Sequence, residues 1–266
     1  MTGPAPAVSV LMAVRDGAPW VREAVESVLA QTAGDLELIV IDDGSTDATL
    51  AVLEAVRDPR LRVERREVQG LTRALNRGLG LARAPLVARL DADDLALPER
   101  LARQRDFLDA HPGVGLLGTA AREVDALGRE VRVVRPPQHD AALRRALIRE
   151  NPFVHSSVML RRALCEQAGG YDEARPVAQD YDLWMRMSHA TRLANLDDVL
   201  VVRRLLPGRI SVEREGDRLR TEARVRWEAI RRGDYPWWCV VHALRPTAAL
   251  ALPPALRRGL RIALRR

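Results

Sequence analysis

Residues Val8 to Asp47 read VSVLMAVRDGAPWVREAVESVLAQTAGDLELIVIDDGSTD, and two periods alternate within them. Val8–Val14 is a short unbroken apolar run, the pattern of a strand buried on both faces. Val21, Ala24, Val25, Val28 and Leu29 then recur at helical spacing and mark one face of a helix. Pro19 stands near its start, where proline is tolerated. Leu36–Ile41 is a second apolar run, and it ends in the polar turn Asp42-Asp43-Gly44-Ser45-Thr46-Asp47. Strand, helix and strand in that order require a right-handed crossover and a parallel pair.

The alternation continues outward. A helix through Leu50, Leu53 and Val56 is followed by a weaker strand over Leu61–Glu67. A helix face of Leu71, Ala74, Leu75, Gly78 and Leu79 precedes a strand over Leu86–Leu90. These elements predict an α/β fold with a Rossmann-like, mostly parallel central sheet flanked by helices. Ligands bind such sheets beyond the carboxyl ends of the strands. Both acidic clusters, Asp42-Asp43 and the Asp91, Asp93 and Asp94 of RLDADD (Arg89–Asp94), lie just past strand ends. Two distant segments thus deliver carboxylates to one sheet edge.

Beyond Asp94 the pattern is less regular, as a substrate-shaping region would be. It predicts a helix over Pro98–Asp109, strands over Val114–Gly118, Arg129–Val134 and Val154–Leu160, and a helix over Gln179–His189 with Trp184 and its neighbouring methionines in the core. The organisation expected is one large domain over 1–210, with a nucleotide-binding half to about 118 and an acceptor-binding half from about 119, then a helical, arginine-rich extension over 211–266.

Crowded carboxylates repel one another and call for a positive partner. Three ligands suit carboxylates at that edge: a divalent metal, ribose hydroxyls or a base N–H. Mg²⁺ or Mn²⁺ usually takes one or two carboxylates and completes its shell with phosphate and water, so a metal-bridged nucleotide diphosphate accounts for the cluster. Asp47 reads equally well as a helix cap.

The 266 residues carry a net charge of +6, and every basic residue is arginine. Apolar residues make up 47% and charged residues 29%, an ordinary soluble globular composition. Cys165 and Cys239 are far apart and in no metal-type spacing, which fits a reducing, cytoplasmic compartment. No apolar run is long enough to span a membrane, and Val8–Val14 is too short, and lacks the basic lead-in, for a secretory signal.

The stretch from Val8 to RLDADD, together with GLTRALNRGLGLARAPLVARLDADDLALPERL, NPFVHSSVMLRR, GGYDE and QDYDLWMRM, resembles glycosyltransferase family 2, the inverting GT-A nucleotide-sugar transferases. The resemblance covers Val8 to Arg204 and implies a GT-A fold, a nucleotide-sugar donor (a UDP-sugar), a carbohydrate or lipid-linked acceptor, and Mg²⁺ or Mn²⁺. It implies that Asp43 accepts from a uracil-type base, that Asp91 lies near the ribose and the metal shell, and that Asp93 is the direct metal ligand. Asp180 would be the general base, and His155 would line the site alongside Asp94 and Gln179. Gln179 stands where the family has Glu. Ala13 and Arg15, beside the expected base pocket, stand where Thr or Pro and an aromatic residue are common.

A nucleotidyltransferase would share the sheet and the metal logic, but the Gly-rich, basic phosphate loop usual in that class is missing between Val8 and Val21. A pI near 10.4 suggests a nucleic-acid binder, yet aromatics are 4% and the acidic clusters would repel phosphates, so no nucleic acid is expected. The tail from Tyr235 to Arg266 has six arginines and no acid, and it opens on Trp237-Trp238. Leu256, Leu260 and Leu264 recur every four residues among Arg257, Arg258, Arg261, Arg265 and Arg266. This reads either as a docked helix with a solvated basic face or as peripheral contact with the inner face of the cell membrane. Pro246, Pro253 and Pro254 exclude a continuous spanning helix.

Overall fold

The computed structural model describes residues 5–207 and 213–251. The leucines and arginines of the tail beyond residue 251, and the expected boundary near 210, lie outside the described residues. Among those described, nine strands form one sheet: β1 (Val8–Val14), β2 (Leu36–Asp43), β3 (Leu61–Arg66), β4 (Leu86–Arg89), β5 (Leu95–Ala96), β6 (Val114–Val124), β7 (Glu130–Val134), β8 (Met159–Arg161) and β9 (Arg192–Arg204). Their order is β3-β2-β1-β4-β8-β6-β9-β5, with β7 paired on β6.

The first four strands pair in parallel, as the alternating periods require. The sheet is mixed beyond β4: β8 runs antiparallel to β4 and β6, and β9 is parallel to β6 but antiparallel to β5. Because β5 belongs to the first half and β9 to the second, one continuous sheet joins the two.

The helices are α1 (Val21–Leu29), α2 (Thr49–Glu54), α3 (Leu71–Leu81), α4 (Arg100–Ala110), α5 (Asp140–Leu147), α6 (Arg162–Gln167), α7 (Gln179–Met187), α8 (Glu215–Arg231) and α9 (Val240–Leu250). Side chains of β1 alternate between two apolar layers. Val8, Val10, Met12 and Val14 pack with Val21, Val25, Val28 and Leu101 of α1 and α4, whereas Leu11 and Ala13 pack with Leu75 and Leu79 of α3. Both faces are therefore buried, which is why β1 reads as an unbroken apolar run. Trp184, Met185 and Met187 are fully buried, as their core reading requires.

Two sequence expectations are corrected. Val154–Leu160 is not one strand: residues His155–Ser157 form a 3₁₀ turn before the short β8. The Ser157 hydroxyl donates to the Val154 carbonyl at 2.8 Å, one of the local side-chain bonds with which serine competes against a ladder. The strand expected over Val114–Gly118 continues to Val124, because Thr119 to Ala121 stay buried beside β9. Helices α5, which buries Leu143 and Leu147, and α6, and strand β9, within which Asp197 and Asp198 are exposed, are not among the elements expected from the sequence.

Gly118 of β6 is paired in register with Asn195 of β9. A Cβ there would lie 2.1 Å from Asn195 Oδ1 and 2.9 Å from Phe153. Asn195 is buried and tied by Nδ2 to the Pro137 carbonyl at 2.8 Å, so it has little room to yield. Gly118→Ala is expected to destabilise the protein by about 1–3 kcal/mol through overpacking. Urea denaturation checks this; an unchanged midpoint would show that Asn195 moves freely.

Candidate active site

The loops after β1 and β2 are tied to each other by short polar bonds. The main-chain N–H of Asp16 donates to Ser45 Oγ at 2.9 Å, that of Gly17 to Thr49 Oγ1 at 2.8 Å, and that of Ala18 to Asp47 Oδ2 at 3.1 Å. In return Asp16 Oδ1 accepts from the Thr46 N–H at 2.8 Å. Asp47 Oδ1 accepts from the Thr49 N–H at 2.9 Å, so Asp47 orders the chain just ahead of α2, although the N-cap position itself falls on Ala48 and has no side-chain cap. Asp16 sits at φ +52°, an uncommon conformation for a residue with a Cβ, and the loop-to-loop bonds hold it there. Asp43 ends β2 and is 5% exposed. Its Oδ1 accepts from the Gln69 N–H and its Oδ2 from the Gly70 N–H, each at 2.8 Å, which fixes the carboxylate before α3. Each oxygen keeps a second lone pair for a ligand.

The acidic motif follows β4. Asp91, Asp93 and Asp94 bring one carboxylate oxygen each within 4.8 Å of one another. Asp91 is held from behind. Its Oδ1 pairs with the buried Arg89 guanidinium, and its Oδ2 accepts from Ser156 Oγ at 2.6 Å. Burial raises the Asp91 pKa, but Arg89, His155 and Ser156 outweigh it and hold the carboxyl well below the usual range. Asp94 is 2% exposed and accepts from the Arg204 N–H at 2.9 Å. Burial first, then the charges of Asp91 and Asp93, push its pKa up to about 7. Arg204 also donates to the Asp93 carbonyl at 2.9 Å, pairs with Glu23 and stacks 4.8 Å over the Trp20 ring.

This donor set fits a hard divalent cation. All three groups are carboxylates, they converge, and burial together with their mutual repulsion raises the pKa of Asp94, which positive charge would reverse.

The opposite wall comes from α7. Asp180 lies in its first turn, where negative charge is favoured. Ala178 precedes it at φ +58°, a left-handed conformation that turns the chain into the helix. Asn151 Nδ2 donates to Asp180 Oδ2 at 2.7 Å; no donor meets Oδ1 among the described residues. Gln179 is buried. His155 sits in the 3₁₀ turn with Nε2 3.1 Å from the Tyr171 hydroxyl, edge-on to Trp184. Burial, reinforced by Arg89 and opposed by Asp180 and Asp91, lowers its pKa to about 4, so the ring is neutral at physiological pH.

One cavity of about 1120 Å³ joins these walls. Ala13, Arg15, Asp43, Asp91, Asp93 and Asp94 line it, and His155, Gln179 and Asp180 line it as well. The structure thus brings these nine predicted site residues to a single space, whereas Asp42, from the same acidic turn as Asp43, is buried away from it. Sequence reasoning missed Asp16, Trp20, Asn151, Ser156 and Arg204, which also line it. The polar GSTD turn hinted at the loop ties; nothing local marks Arg204, which is 110 positions from the Asp94 it braces.

Asp94 gives a pH signature. Its folded pKa, about 7, lies above the 3.8 of an ordinary aspartate, so the folded protein holds a proton that the unfolded chain releases. This contribution to stability is complete below about pH 4 and is lost as pH rises through about 7. Asp94→Asn keeps the acceptor for the Arg204 N–H and removes the titration. In chelator-treated protein its stability is expected to fall less than wild type between pH 4 and 7.5. Denaturant melts across that range decide; parallel curves would contradict the shift.

The sequence signature of Glycosyl transferase family 2 matches residues 9–169. The chain is 35% identical to the amylovoran biosynthesis glycosyltransferase AmsE of Erwinia amylovora over 183 residues, 67% of this chain and 68% of that protein. It is 29% identical to the O-antigen biosynthesis glycosyltransferase WbnJ of Escherichia coli, over 68% of this chain and 71% of that one. Among solved structures, S. aureus TarS 1–349 superposes with a TM-score of 0.68 at 21% identity, covering 92% of this chain and 72% of that one. The mannosyltransferase PcManGT of Pyrobaculum calidifontis, solved with GDP-Man and Mn²⁺, superposes with a TM-score of 0.66 at 24% identity, covering 98% and 80%. The fold is GT-A, and the chain belongs to glycosyl transferase family 2.

Proposed function

We propose that this glycosyltransferase is metal-dependent and inverting, and that it moves a sugar from a UDP-sugar to the hydroxyl of a carbohydrate or lipid-linked acceptor in polysaccharide or glycolipid synthesis. The observation that carries the proposal is the shared cavity, with the Asp91, Asp93 and Asp94 carboxylates on one wall and Asp180 on another. Related structures hold UDP-GlcNAc in TarS and GDP-Man with Mn²⁺ in PcManGT, and two relatives take their names from polysaccharide synthesis.

On this reading Asp43, fixed by two main-chain amides, offers its remaining lone pairs to the N–H of a uracil ring. Ala13 leaves space for that ring and Arg15 borders it. Asp91 and Asp93 would hold Mg²⁺ or Mn²⁺; when bound, the ion neutralises the departing diphosphate as a Lewis acid. Asn151 orients the Asp180 carboxylate, and Asp180 takes the proton from the acceptor hydroxyl as that oxygen attacks. Hydrolysis of the donor by water at the same base is the background reaction.

Two substitutions separate these roles. Asp93→Asn is expected to abolish Mn²⁺-dependent UDP binding without unfolding the protein. Asp180→Asn should leave UDP affinity within a small factor and slow turnover by about 10²-fold or more. Calorimetry with UDP and Mn²⁺, beside a hydrolysis panel of nucleotide sugars, measures both. Full UDP affinity in Asp93→Asn would sink the metal assignment, and equal loss of binding and turnover in Asp180→Asn would sink the base.

The proposal places the enzyme in the cytoplasm, at the inner face of the membrane. No helix among the described residues is long and apolar enough to cross a membrane, so contact would be interfacial. Trp237 and Trp238 are 77% and 62% exposed, and Val241 and Leu244 more than half exposed, ahead of an arginine-rich, acid-free tail. In flotation with anionic vesicles at low salt, wild type should float and Trp237→Ser/Trp238→Ser should stay at the bottom; equal flotation would contradict membrane contact.

A further inference from the structure

The cavity continues past Asp180 into a corner lined by Arg149, by Arg218 and Arg226 of α8, and by Arg245 of α9. Two hydrogen bonds fix this corner to the Asp180 wall. Asn151, which holds Asp180, lies two residues after Arg149. Arg226 Nε donates at 3.1 Å to the hydroxyl of Tyr181, the neighbour of Asp180. Arg226 Nη1 also donates to the His242 carbonyl at 3.0 Å, which draws α9 into the corner. The His242 imidazole reports the field there: its pKa is lowered by burial and then by Arg149, Arg245 and Arg226.

Few carboxylates answer these guanidiniums. Glu222 is shared between Arg218 and Arg226. Glu150 lines the rim, exposed and in no ion pair among the described residues. Arg149 and Arg245 are exposed and likewise meet no carboxylate among the described residues. Unpaired guanidiniums around a cleft make a site for an oxyanion, which accepts their N–H groups in pairs. The donor's own diphosphate belongs by Asp91 and Asp93 on the other wall, so an anion in this corner is carried by the second substrate.

We propose that Arg149 and Arg245, beside the structural Arg226, form a subsite for a phosphate group of the acceptor, holding it while the acceptor hydroxyl meets Asp180. This rests on Asp180 being the base. The phosphate is either the diphosphate that joins a sugar to a lipid carrier or a phosphodiester within the glycan. Helix α9 suits the first source, since it turns Arg245 to the cavity and the adjacent Leu244 to solvent beside Trp237 and Val241.

The test titrates the full chain, saturated with UDP and Mn²⁺ to fill the donor side, with geranyl diphosphate and separately with glycerol 3-phosphate by calorimetry. At least one is expected to bind, with affinity at least 10-fold weaker in Arg149→Gln/Arg245→Gln, whose melting temperature should not change because both side chains are exposed. Tighter binding of geranyl diphosphate assigns the subsite to a carrier-linked acceptor; equal binding assigns it to a phosphate in the glycan. Failure of both ligands to bind wild type, or unchanged affinity in the double variant, overturns the subsite. Asp180→Asn separates the two proposals: it should keep the phosphate affinity and lose hydrolysis of the UDP-sugar that wild type turns over. Wild-type hydrolysis in that variant would overturn the base whatever the phosphate result.

Discussion

Three carboxylates within a few ångströms of one another can persist in a folded protein only against positive charge, and here part of that charge is internal. Arg89 and Arg100 are both buried directly behind the acidic motif. Arg89 pairs with Asp91, while Arg100 donates to the Arg89 carbonyl at 2.7 Å and the Val158 carbonyl at 3.2 Å. Burying two like charges together is unfavourable: burial first, then Arg89, pushes the Arg100 pKa down to about 9. The two guanidiniums are tolerable because the carboxylates stand in front of them, and the carboxylates because the guanidiniums stand behind. This opposition fixes the end of β4, and with it where any cation at the sheet edge must sit.

How much of this was legible follows from the range of each interaction. The elements β1 to β4 and α1 to α3 were readable because each buries a periodic face on a layer built from nearby sequence. The acidic residues were readable because chemistry concentrated them. The His155 turn was not, since an apolar flank at Val154 and Val158 resembles a strand until the serine bonds are seen. Asn151 and Arg204 were invisible for another reason: each acts through contacts with residues far away in sequence, which no local pattern encodes. The roles proposed for Asp43, Asp93 and Asp180 come from the resemblance to the family, and the structure shows which residues surround them.

The two walls of the cavity are built differently. Asp43 accepts from two consecutive main-chain amides and Asp91 from Arg89 and Ser156 on separate segments, which leaves little rotamer freedom to lose when a ligand arrives. The Asp180 wall rests on one asparagine and on Ala178, a residue with a Cβ held in a left-handed conformation. One wall is thus fixed by hydrogen bonds to its carboxylates, whereas the other begins on a strained backbone.

Arg204 carries a consequence for how such proteins diversify. It closes β9, after the Asp180 helix, yet its main chain and guanidinium return to Asp94, Asp93, Trp20 and Glu23 in the opening half of the chain. The two halves are therefore not interchangeable cassettes. A chimera that joined this chain's first 118 residues to a relative's remainder would inherit its metal-facing loop from one parent and the brace for that loop from the other. An exchange of segments would keep this brace only where positions 20, 23, 94 and 204 stay matched.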